Sequence, residues 1–196
     1  MNVHQLSVTY QPEHDRILVR VNTVQGEEFR FWMTRRLTLQ LWPVLVEIGH
    51  RRLLAADVSL HPGAGQDPML SDQALSMLAE FKKEKMLNET DFKTPFKPPT
   101  LWPMGVEPLL LTLVEVKAMP NLDCRLSLRE ELPGTKKTRG FQLRLVPELM
   151  QGFMHLYEAA LVASGWRTAD APLTQMVPGN KVLDAFPIPK EKFYLN

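Results

Sequence analysis

The side-chain period of this chain changes from two to about 3.6 at two places, and each change follows strand-like runs. That order confines the chain to sheets with helices packed on them. Leu6, Val8 and Tyr10 alternate with polar residues, and Gln11 to Asp15 reads as a turn. Arg16 to Asn22 alternates again, with Ile17, Val19 and Val21 on one face and Arg16, Leu18, Arg20 and Asn22 on the other. Thr23 to Gly26 reads as a hairpin connection. Glu28 to Met33 is a third strand, with Phe29, Phe31 and Met33 opposite Arg30 and Trp32. Leu37, Leu41, Val44, Leu45 and Ile48 then follow helical spacing, with Thr34 as N-cap. Pro43 lies inside this helix and predicts a kink.

Val58 to Asp67 reads as a loop, and Ser71 to about Leu87 as a second helix. Five prolines between Thr94 and Pro108 block helix and central strand, which predicts a stiff extended connector. Strands are expected at Leu109 to Lys117, at Leu122 to Arg129 and at Gly140 to Val146, with Pro133-Gly134 as a turn. Pro147 suits a first helical position, Glu148 the first turn, and Gly165 the helix stop. Leu149, Phe153, Leu156, Tyr157 and Ala160 form the apolar stripe between them. The tail carries further prolines and predicts at most a short strand at Lys192 to Leu195.

The two halves match in pattern. Phe29, Phe31 and Met33 fall on Phe141, Leu143 and Leu145. Leu37, Leu41 and Leu45 fall on Leu149, Phe153 and Tyr157. With a shift that a longer hairpin loop would absorb, Arg16, Ile17, Val19 and Arg20 fall on Arg125, Leu126, Leu128 and Arg129, and Leu6 and Val8 on Leu111 and Leu113. The expected fold class is therefore α+β, with antiparallel sheets, packed helices and an internal duplication of a strand-strand-strand-helix unit. A single pseudo-symmetric domain, 1–196, is expected: copy one at 1–56, an inserted helix and connector at 57–108, copy two at 109–165 and a tail at 166–196. A lone three-stranded copy leaves edges and one face open, so two copies complete one core. The element order resembles the duplicated single-strand nucleic-acid-binding folds such as the Whirly and Pur-type modules. Those carry one more strand per copy, and their diagnostic motifs are absent here.

Lysine and arginine number 23 against 22 aspartates and glutamates, so the net charge is +1 and no global field attracts nucleic acid or anionic lipid. Any basic surface must be local. An apolar fraction of 44% excludes global disorder. The single cysteine, Cys124, cannot form an internal disulfide and alternates with core leucines, as a buried thiol does. Met1 to Tyr10 lacks the features of a secretory signal, and no run approaches the ~18 apolar residues of a membrane span. A cytoplasmic protein without membrane contact is expected.

The outward strand faces are the candidate binding surface: Arg16, Arg20, Arg30 and Trp32 in the first half, Arg125, Arg129 and Arg144 in the second. Arginine beside an aromatic neutralises phosphate and stacks on bases. The plain alternative is a solvated sheet face, with Glu27, Glu28, Glu130 and Glu131 cancelling the field, or a face covered by the tail or a second subunit. Arg35 and Arg36 open the first helix, where backbone donors and two guanidinium groups suit an anion. Ion pairing with Glu27 or Glu28, or with a partner chain, is the competing expectation. No catalytic residue, metal ligand set or cofactor motif is read: His4, His14, His50, His61 and His155 have no ligand spacing, and Gly63 to Asp67 lacks the lysine of a phosphate loop. The leading expectation is a non-catalytic binding or assembly protein, partnered by another protein or by itself as a homo-oligomer. Single-stranded nucleic-acid binding and an enzyme without a recognisable motif are the alternatives.

Overall fold

The structure, a computed structural model, describes residues 2–60, 72–91, 94–132, 134, 138–166 and 181–184. The first three alternating runs become β1 (Val3–Gln11), β2 (Arg16–Thr23) and β3 (Glu28–Thr34), paired antiparallel in that order. Their inward residues Ile17, Val19, Val21, Phe29, Phe31 and Met33 are all buried. β3 runs straight into α1 (Arg35–Leu60), where the Leu37 amide donates to Thr34 Oγ1 at 3.4 Å as a cap. α1 continues through Pro43 and past the expected stop, so Val58 to Leu60 are helical rather than loop. No glycine or proline interrupts His50 to Leu60, and leucine and alanine there favour the helix. The rest of that expected loop, to Asp67, lies outside the described residues.

After α2 (Asp72–Glu89), residues 94–108 form no regular element. They lead to β4 (Leu109–Leu110), β5 (Leu113–Ala118), β6 (Cys124–Glu131), β7 (Thr138–Leu145) and α3 (Pro147–Ser164). Gly165 ends α3 in the left-handed conformation, its amide donating to the Val162 carbonyl. Leu122, expected in the strand, is instead a turn residue at φ 66°. The tail supplies an unexpected strand, β8 (Lys181–Asp184), which pairs antiparallel with β5. The strand expected at Lys192 to Leu195 lies outside the described residues.

Among the described residues two four-stranded sheets result, ordered β1-β2-β3-β4 and β7-β6-β5-β8. One stretch of chain belongs to both. β4 pairs parallel with β3, then Leu111 donates to the Trp32 carbonyl, and Thr112 donates to the Arg129 carbonyl at the start of the next sheet. Buried Glu130 fixes this crossing, accepting the Leu110 amide at 2.8 Å and an Arg139 guanidinium. One core joins both halves: Phe141 lies 4.8 Å from Phe29 and 5.8 Å from Phe31, ring centre to ring centre, and α3 packs on β1. The fold is α+β, with antiparallel pairing dominant.

The order of three strands then a helix recurs, but the residue match does not follow the strand register. Phe31 pairs with Val19, and Leu143 pairs with Leu126. Taking Phe31 as equivalent to Leu143 therefore sets Leu126 on Val19, two residues along from Ile17. Arg20 then corresponds to Ser127 and not to Arg129. In the first strands, Val8 opposes Val19 and Val116 opposes Leu126, so Val116, not Leu113, answers to Val8. That slip is odd in number and puts Leu113 on the opposite face. The fourth strands also break the likeness, β4 lying beside the third strand and β8 beside the first.

Gly140 shows how tightly β7 is held. A methyl group there would overlap the Leu128 carbonyl oxygen and lie 3.0 Å from Arg129 Cα, both backbone atoms of β6. Gly140→Ala is expected to cost about 1–3 kcal/mol in urea unfolding, the scale of overpacking. An unchanged midpoint would mean that β7 shifts outward freely.

Candidate functional site

The arginines of the first sheet are not open to solvent as a set. Arg20 and Arg30 oppose one another across β2 and β3, and both turn to Glu28, whose side chain is only 1% exposed. Glu28 accepts from Arg20 Nε at 3.1 Å and Nη2 at 2.7 Å, and Arg30 Nε lies 3.2 Å from its other oxygen. The proline-rich connector lies over them. Gln5 bonds to Pro95 and Lys97, Asn22 donates to the Lys97 carbonyl at 2.7 Å, and Thr100 donates to the Gly26 carbonyl at 2.9 Å. Glu28 donates its amide to the Leu101 carbonyl at 2.9 Å. The Phe96 ring stacks 4.2 Å from the Arg20 guanidinium carbon, and the Trp102 ring 5.6 Å from that of Arg30. Arg30 also donates to the Val106 carbonyl. The cover considered from sequence, a tail or a second subunit, is here the connector.

Trp32 is half-buried, with the His14 ring 4.9 Å away. Arg16 is half-buried between Gln11 and Thr34. Arg35 and Arg36 are exposed at the start of α1, but the expected ion pairs with Glu27 and Glu28 do not form. Glu28 is held by Arg20 and Arg30, and Glu27 bonds to Thr23.

The second sheet differs. Its outward residues are Leu113, Glu115 and Lys117 on β5, Arg125, Ser127, Arg129 and Glu131 on β6, and Thr138, Gly140, Gln142 and Arg144 on β7. Arg129 is balanced by Glu115 at 2.9 Å and Glu131 at 3.7 Å. Two positions along the same face, Lys117 opposes Arg125 and Arg125 opposes Arg144. Directly opposed side chains on antiparallel strands have Cβ atoms about 4.5–5.5 Å apart, and like charges there repel. Asp123, buried beside the turn, pairs with Arg144, whose side chain stays 63% exposed. Among the described residues Lys117 and Arg125 have no ion pair. Lys117 and Asp123 were not singled out from sequence. Their place depends on the turn at Leu122, whose left-handed conformation sets the register.

Cys124 is buried as expected, and no group of three metal-ligating side chains occurs among the described residues. His155 is exposed, while His61 and the His50 side chain lie outside the described residues. No helix among the described residues is long and apolar enough to cross a membrane.

No family model, curated protein or solved structure matches this chain.

Proposed function

We propose that this chain is a non-catalytic binding protein that holds an anionic partner on the outer face of its second sheet. The observation that carries this reading is the cross-strand row Lys117, Arg125 and Arg144. A sheet face adapted only to water gains from alternating signs, as Arg129 does with its two glutamates. In the row Lys117, Arg125 and Arg144 only Arg144 is paired, with Asp123, so Lys117 and Arg125 leave a repulsion that an incoming anion relieves. The first sheet offers less, because Glu28 and the connector already occupy Arg20 and Arg30.

The test is fluorescence anisotropy with labelled polyglutamate and single-stranded oligothymidylate, at ~50 mM and near-physiological salt. The native protein binds at least one probe, more weakly as salt rises. Combining Lys117→Glu with Arg125→Glu, which breaks no ion pair, is expected to weaken binding about tenfold or more, equivalent to roughly 1.4 kcal/mol. Equal binding by native and charge-reversed protein, or binding of neither probe by the native protein, sinks the reading.

A further inference from the structure

We infer that the outer edge of β7 takes an extended acidic polypeptide segment as a fifth strand of the second sheet. The inference rests on the anionic-partner reading and names the class of that partner. β7 is an outermost strand, eight residues long, and among the described residues its backbone pairs with β6 alone. Alternate residues of such a strand aim their N–H and C=O groups away from the sheet, where another strand can continue the ladder.

The other edges are less suited. β4 spans two residues and β8 four. β1 carries a register shift between Val3 and Gln5, and α3 packs on it. Sheet edges are commonly blunted by a proline or a bulge. β7 has neither, and its register with β6 is regular from Thr138 to Leu145.

Side-chain chemistry beside the edge selects the occupant. On the outer face a new strand would lie next to Gln142 and Arg144, both exposed, with Arg125 behind them. On the inner face it would lie beside half-buried Phe141, which faces the core through Phe29 and Phe31. The matching segment therefore alternates acidic with apolar side chains. A second copy pairing through β7 would bring further arginine to the same edge and is disfavoured by repulsion. A nucleic acid cannot extend a backbone ladder, and the described outer face holds no aromatic ring on which a base could stack.

The probe is a capped ten-residue peptide alternating glutamate with valine, titrated into the full chain. Two modified forms carry N-methyl groups along one edge or along the other. One methylated edge is expected to lose about tenfold or more in affinity while the other binds normally, because only one edge can face β7. Slower amide exchange at Arg139 to Arg144 on peptide addition is the second expected result, and Arg125→Glu, which breaks no ion pair, weakens the peptide. If both methylated forms bind like the parent, charge alone acts, so strand addition falls and the anionic-partner reading stands. If oligothymidylate binds and the peptide does not, the partner is a nucleic acid and strand addition again falls. If neither binds, both readings fall together.

Discussion

Replacing Glu28 by alanine is expected to destabilise the protein by about 3 kcal/mol. Glu28 sits on a sheet face yet is 1% exposed, because Arg20, Arg30 and the connector close over it. Removing one member of a buried ion pair costs about 3–5 kcal/mol, since the remaining charge stays desolvated without a partner. Here the arginine side chains keep 33% and 21% of their exposure, so the lower end applies. Glu28→Gln is expected to fall between native protein and alanine. The connector should loosen too, as Phe96 and Trp102 cover guanidinium groups that would now repel each other. Urea unfolding gives the first quantity, and limited proteolysis near residues 94–108 gives the second. Replacing all three charges, as Glu28→Leu with Arg20→Met and Arg30→Met, should recover most of the loss. A single variant within about 0.5 kcal/mol of native protein would show that the cluster contributes no stability.

Tyr157→Ala is expected to cost about 3–5 kcal/mol, the range for emptying a large buried aromatic site. Tyr157 is wholly buried, stacked on Trp42 at 5.7 Å and set edge-on to Phe153 at 5.6 Å. Its hydroxyl donates to the Thr38 carbonyl at 3.1 Å and so ties α3 to α1. Tyr157→Phe keeps the ring and loses the bond, which is worth about 1 kcal/mol. A second signature separates the two effects. Burial pushes the Tyr157 pKa well above its ordinary value. The folded protein then keeps a proton that the unfolded chain loses above pH ~10. This contribution is complete below that pH and declines above it, by about 1.4 kcal/mol per pH unit until Tyr157 itself ionises. Tyr157→Phe should flatten that decline. Tyr10, whose pKa its bond to Asp15 also raises, is best replaced by phenylalanine in both arms. Parallel pH profiles with and without the Tyr157 hydroxyl would refute the assignment.

The candidate site was half legible. Arg125, Arg129 and Arg144 fall on the outward face as their spacing implies, since alternation is a property of each strand alone. That Lys117 stands beside Arg125, and that Arg129 is neutralised while Arg125 is not, depends on the pairing of β5 with β6. The supposed equivalence of Arg20 and Arg129 failed for the same reason, because the pairing of β6 with β7 shifts the register two residues further than the sequence match allows for a longer hairpin loop.

Local period and propensity were enough to place the strands from Val3 to Thr34, the helix starts at Arg35 and Pro147, the stop at Gly165 and the buried position of Cys124. Each depends on neighbours a few residues away. Tertiary structure alone decided that residues 94–108 cover Arg20 and Arg30, that Leu109 to Ala118 joins two sheets, and that Lys181 to Asp184 closes one of them. Those outcomes rest on contacts between residues far apart in the chain. A single strand's side-chain pattern says which face is apolar, but not what will come to lie on the other face.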